Sequence, residues 1–174
     1  MKKTGLTTAE AETLAELLTK AKFPLPKEVF DAWTETLPTG AFELCITRKT
    51  SDGLEVFMLQ RPGDDKHWPF EWHIPGTVLR DKDTYPKLFG RLMKSEIGGG
   101  NFGKLRPVGT RIFPKGEGLY RCRRGHETAL LYTVEFLKGT TPDNGCWFPI
   151  DQLPKNTVSF HHTLVAMVRK HLGV

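Results

Sequence analysis

An α/β domain preceded by a short helical segment is predicted by three features of this sequence. From residue 41 onward, short apolar runs alternate with turn signals, as strands do. Two later stretches, 84–97 and 157–172, carry apolar residues at helical spacing. The 174 residues are 39% hydrophobic and 26% charged, enough apolar content for one core and too much for a disordered chain. Strands interleaved with helices bury their apolar faces as a layered α/β domain.

The elements follow in order. Thr7-Thr8-Ala9-Glu10 has the form of a capping box, and Leu14, Leu17, Leu18 and Ala21 then recur at helical spacing. Phe23-Pro24-Leu25-Pro26 should stop this helix, because proline removes a backbone donor and clashes with the preceding turn. A second helix is predicted from Pro26, with Val29, Phe30 and Trp33 on one face, ending at Leu37-Pro38-Thr39-Gly40. Residues 1–40 are thus expected to be a helical extension that packs on the main domain or on another subunit. Residues 41–174 form that domain.

Within it, Phe42–Thr47 and Glu55–Leu59 read as strands joined by the turn Thr50-Ser51-Asp52-Gly53. A loop over 61–66 leads to a short strand from Phe70 to Ile74, ending at Pro75-Gly76. The helix over 84–97 is capped by Thr84 or Asp83 and closed by Gly98, followed by a flexible exit at Gly98-Gly99-Gly100. Leu105–Phe113 and Thr128–Leu137 are further strands, with a basic loop over 115–127 between them. Trp147–Leu153 is a strand running into a turn, and Thr157–Leu172 is the closing helix.

The net charge of +5 favours anionic partners such as phosphates or nucleotides, although a basic but inert surface has the same charge. Cys45, Cys122 and Cys146 are odd in number and widely spaced, which is no disulfide framework and fits a reducing cytoplasm. The basic start Met1-Lys2-Lys3 is followed by Glu10, Glu12 and Glu16 rather than an apolar run, so no signal peptide is expected. No apolar stretch is long enough to span a membrane.

The order of elements carries a specific resemblance. Val56-Phe57-Met58-Leu59-Gln60-Arg61-Pro62 is followed by Trp72-His73-Ile74-Pro75-Gly76, then a helix ending at a glycine. Much later comes Trp147-Phe148-Pro149-Ile150-Asp151-Gln152-Leu153. This arrangement over residues 41–172 resembles the Nudix hydrolase superfamily. The resemblance implies a Nudix-like α/β/α sandwich with a mixed β-sheet, here with an N-terminal helical extension. In the family's signature a glycine leads to a first glutamate, an Arg-Glu pair, two more glutamates and a closing glycine. Gly76, Arg91, Glu96 and Gly98 match, whereas the other glutamate positions hold Lys82, Leu92 and Ser95. The interval between Gly76 and Arg91 is also one residue longer than the pattern, and Thr77 stands where a second glycine is usual.

By that resemblance the protein binds a nucleoside diphosphate-linked or similar phosphorylated compound. If it is active, it cuts the diphosphate linkage with Mg²⁺ (or Mn²⁺). Such chemistry needs carboxylates, because Mg²⁺ prefers oxygen ligands and activates the attacking water. Glu96 is the retained metal ligand and catalytic candidate. Arg91, whose family partner is replaced by Lys82, either binds phosphate or faces solvent. Glu117, Glu127 and Glu135 are candidates for an acid supplied from outside the helix, and Asp81 and Asp83 sit just ahead of it. Arg61, Trp68, Arg121 and Arg123 are candidates for substrate binding, since guanidinium groups match phosphate geometry and an indole can stack a base. The alternative is a catalytically inactive module that senses a ligand or binds a protein. No RNA-reading aromatic motif accompanies the basic cluster Arg121-Cys122-Arg123-Arg124. Cys122, His126, His161 and His162 lack the spacing of a zinc site. Leu14, Leu17 and Trp33 leave a homodimer open.

Overall fold

A computed structural model describes residues 5–116 and 124–174. The chain divides into two compact units, Met1–Trp33 and Thr34–Val174. In the first, helix α1 (Thr8–Lys20) starts on the expected capping box. The Thr7 N–H donates to the Glu10 carboxylate at 2.7 Å, and the Glu10 N–H donates to Thr7 Oγ1 at 3.3 Å, so two orphan donors of the first turn are satisfied. Helix α2 (Lys27–Thr36) begins directly after Pro26.

Among the described residues, the second unit is built on an eight-stranded mixed sheet. Its strands are β1 (Thr39–Thr50), β2 (Gly53–Gln60), β3 (Trp72–His73), β4 (Gly76–Val78), β5 (Asn101–Phe102), β6 (Arg106–Phe113), β7 (Glu127–Lys138) and β8 (Gly145–Pro149). The central strand β1 lies antiparallel to β2 and β4 and parallel to β7. The β1–β2 hairpin closes on Ser51-Asp52, with Thr50 opposite Gly53 at φ 131°, a conformation that favours glycine.

Successive residues of a strand face opposite sides, and β1 is apolar on both. Cys45 packs with Val56, Met58, Leu131 and helix α4 (Ser159–Leu172) through Phe160, Leu164 and Val168. Phe42, Leu44 and Ile46 pack on the other side with Phe57, Leu59, Val134 and helix α3 (Tyr85–Leu92) through Leu88 and Leu92. The sheet is thus sandwiched between α3 and α4, the α/β/α layering that the sequence predicts.

Three elements differ from expectation. The strand expected over Phe70–Ile74 contracts to Trp72–His73, because Phe70 takes φ 58°, which no strand accommodates. The helix over 84–97 is α-helical only to Leu92 and continues as a π-helical turn, Met93–Ile97. Its closing bond runs from Gly98 N–H to Met93 O at 2.8 Å, five residues back. Thr84 occupies the N-cap position of α3, but its side chain makes no capping bond. The Gly-rich exit carries the short strand β5, paired with β7.

Candidate functional site

The site is assembled at Gly76, the first residue of β4. Gly76 pairs with Glu43 in the middle of β1. A Cβ at Gly76 would lie 2.5 Å and 2.7 Å from the two Glu43 carboxylate oxygens, so only glycine lets that carboxylate lie against the strand. From the π-helical turn, Glu96 reaches the same place, where its carboxylate accepts the Gly76 N–H. Two acids from distant parts of the sequence therefore meet at one glycine. A π-helical turn often marks a functional site, because the inserted residue re-aims the side chains after it.

The surroundings set the charge state of these groups. Burial, then the negative charges of Glu127 and Glu96, push the Glu43 carboxyl well above the ordinary range, against Arg61 and Arg124. Burial raises Glu96 to about 7, opposed by the Gly76 N–H and Arg61. Burial likewise raises Glu127, the first residue of β7, to about 7. Among the described residues, Glu43 Oε2, Glu96 Oε2 and Glu127 Oε1 are buried without hydrogen-bond partners. A buried carboxylate oxygen without a donor is costly unless a cation or a proton compensates it.

The positive side of the site begins where β2 ends. Arg61 Nη1 donates to Asp65 at 3.1 Å, and Asp65 also accepts the N–H groups of His67 and Trp68 at 2.9 Å and 2.8 Å. This closed loop fixes Trp68, whose ring has the Arg61 guanidinium at 5.1 Å and that of Arg124 at 5.2 Å. Trp68 itself is buried and packs edge-on against Phe160. Arg61 Nε is buried with no acceptor among the described residues.

Behind the Pro75-Gly76 turn lies a pair of buried histidines. His73 Nδ1–H donates to Ile74 O at 2.8 Å, and the Ile74 N–H donates to His161 Nδ1 at 3.1 Å. Burial and then Arg61 depress His73 to about 3, and burial and then His73 hold His161 well below its ordinary value. Both rings are neutral parts of the scaffold that fixes the strand leading into Gly76.

Of the residues singled out in the sequence, Glu96 and Arg61 converge near Gly76, and Trp68 lies beneath the guanidinium groups. Arg91 does not face solvent. It forms a bidentate pair with Asp83, at 2.7 Å and 2.9 Å, and donates to Val78 O at 2.9 Å. Asp83 thus takes the partner's place that Lys82 leaves vacant, and Arg91 ties the start of α3 to β4. Among the described residues, Glu127 is the later acid that reaches the site, whereas Glu135 is exposed and Asp81 lies against Lys82. Arg121, Arg123 and Glu117 lie outside the described residues. Glu43 was missed. Its signal was a lone acid within the apolar run Ala41–Thr47, every residue of which is buried.

No known family profile matches the chain, and no curated protein matches it. Solved structures do. The Nudix domain of Shewanella oneidensis NrtR, in complex with ADP ribose, matches with a TM-score of 0.61 at 16% identity, covering 96% of this chain and 99% of that one. A MutT Nudix hydrolase from Burkholderia pseudomallei matches at 0.59 and 15% identity, over 76% of this chain and 98% of that one. The C. elegans Ap4A hydrolase matches at 0.53 and 17% identity, over 79% and 98%. The chain therefore has the Nudix fold.

Proposed function

We propose that this Nudix-fold protein binds a nucleoside diphosphate-linked compound, or a similar diphosphate, beside Gly76 and cuts its diphosphate linkage with Mg²⁺ (or Mn²⁺). The observation that carries this reading is the meeting of two buried carboxylates, Glu43 and Glu96, at one glycine near Arg61 and Arg124.

The donor set fits a particular kind of metal binding. Glu43 Oε2 and Glu96 Oε2 have no hydrogen bond from the described residues, and a divalent cation would relieve their repulsion. Among the described residues no group of three His, Cys, Asp or Glu side chains is placed to hold a metal. Two carboxylates suit Mg²⁺ that arrives with phosphate oxygens and waters, rather than a permanently held ion. When bound, the ion would neutralise phosphate oxygens and lower the pKa of the attacking water. Arg61 would offer its free Nε–H to a phosphate oxygen. Burial raises Glu96 to about 7 in the free protein, and a bound cation would hold it ionised as a ligand.

A second reading, a catalytically inactive module that senses a ligand or binds a protein, is favoured by Leu92. This residue takes the position of a signature glutamate yet is fully buried in the α3 core, so that face of the helix serves packing. Release of nucleoside monophosphate from a panel of nucleoside diphosphate derivatives, with Mg²⁺, Mn²⁺ or EDTA, separates the two. Metal-dependent release that Glu96→Gln abolishes supports hydrolysis. Ligand binding without release from any member of the panel supports the module.

A further inference from the structure

A second cleft lies at the opposite ends of the strands, away from Gly76. On β1, Cys45 packs under α4, but Lys49 and Thr50 run on past the helix, as Glu135 does on β7. A 14-residue helix spans about 21 Å, whereas the 12 residues of β1 span about 40 Å, so α4 cannot cover the whole face of the sheet. Where α4 ends at Leu172, a cavity of 530 Å³ opens.

Its walls are of two kinds. Leu54 and Leu172 are half-buried and apolar, and Thr47 and Thr133 are buried at its base. Lys49, Lys104 and Arg106 are exposed at its rim, where Glu135 and the chain end at Val174 also lie. Among the described residues, no hydrogen bond or ion pair engages the side chains of those three cations. They come from two separate segments: the end of β1, which carries Lys49, and the stretch leading into β6, which carries Lys104 and Arg106, the latter paired with Thr133. Cations gathered from separate segments without internal partners are poised to satisfy an external anion. The cavity is also large enough for a small organic ligand.

We propose that this cleft is a second binding site, independent of the one at Gly76, for a small phosphorylated molecule with an apolar or aromatic body, of nucleotide size. The phosphate meets Lys49, Lys104 and Arg106, and the body rests on Leu54 and Leu172. Specificity follows from this division: neither half of such a ligand fills the cleft alone.

The test is a titration of the ¹⁵N-labelled protein with AMP, adenosine or inorganic phosphate, followed by amide chemical shifts. AMP is expected to move the resonances of Lys49, Thr50, Lys104, Arg106 and Glu135 saturably, and more tightly than adenosine or phosphate. The double variant Lys104→Glu/Arg106→Glu should weaken this binding about tenfold or more, since two charge-assisted contacts are lost. Its remaining spectrum should stay native, which separates lost binding from lost folding. Unmoved resonances at millimolar AMP would overturn the proposal, as would equal binding by the variant. Binding of a single-stranded oligouridylate through these residues with no response to AMP would also overturn it.

Discussion

Neutralising Glu96 should make the free protein more stable at neutral and alkaline pH. Its carboxyl is raised from 4.5 to about 7, chiefly by burial. Between those values the folded state keeps a proton that the unfolded chain has released. Stability is therefore fully present below pH 4.5 and is lost as the pH rises through 7. The rise corresponds to about 3 kcal/mol at pH 8. Glu96→Gln removes that loss while keeping an oxygen to accept the Gly76 N–H. It also relieves Glu43, whose carboxyl is raised partly by the Glu96 charge. Urea denaturation of both proteins at pH 5 and pH 8 reads the effect. The variant should match the wild type at pH 5 to within about 1 kcal/mol and exceed it at pH 8 by about 3 kcal/mol, or about 6–10 °C in Tm. A variant with the wild-type pH slope, or one less stable at pH 8, would show that Glu96 is not held in a costly charged state.

Four further outcomes follow from the same geometry. Gly76→Ala forces the Glu43 carboxylate out of its place and should cost about 1–3 kcal/mol in a denaturation series, together with weaker ligand binding by calorimetry. Asp83→Ala strands the half-buried Arg91 guanidinium and should cost about 2–4 kcal/mol, read by thermal melting; a neutral result would remove Arg91 from its positioning role. Leu92→Glu, which restores a signature glutamate, should destabilise by about 3 kcal/mol or more instead of creating a metal site, because position 92 is sealed in the core. His73 and His161, both depressed in the folded state, give stability that is lost as the pH falls below about 6.5. His161→Leu, which leaves the Ile74 N–H unpaired, should flatten that acid limb, as measured by denaturation between pH 4 and pH 7.

The fold was legible because its signals are local. The capping box at Thr7, the hairpin turn at Ser51-Asp52 and the apolar spacing of α3 and α4 each arise from residues close in sequence. The site was only partly legible, because it is made by contacts between distant segments. Glu96 and Arg61 stood out by position within the resemblance. Glu43 did not, because an acid in a strand usually faces water, and only the pairing of β1 with Gly76 shows that this one is buried. Asp83 could be read as a capping acid, since the loop that folds it onto Arg91 has no sequence signature of its own. The π-helical turn was hidden for a similar reason. Met93–Ile97 has ordinary helical spacing, and the wider turn appears only in the bond from Gly98 to Met93. The one-residue surplus between Gly76 and Arg91 lies upstream of that turn, in the loop that carries Asp83.

The most direct test of the central claim is isothermal titration of the wild-type protein with ADP-ribose, with Mg²⁺ and with EDTA, repeated for Glu43→Gln/Glu96→Gln. Saturable binding is expected, strengthened by Mg²⁺ in the wild type and unchanged by it in the double variant. Equal strengthening by Mg²⁺ in both proteins, or no binding of ADP-ribose or any other diphosphate compound under either condition, would contradict it.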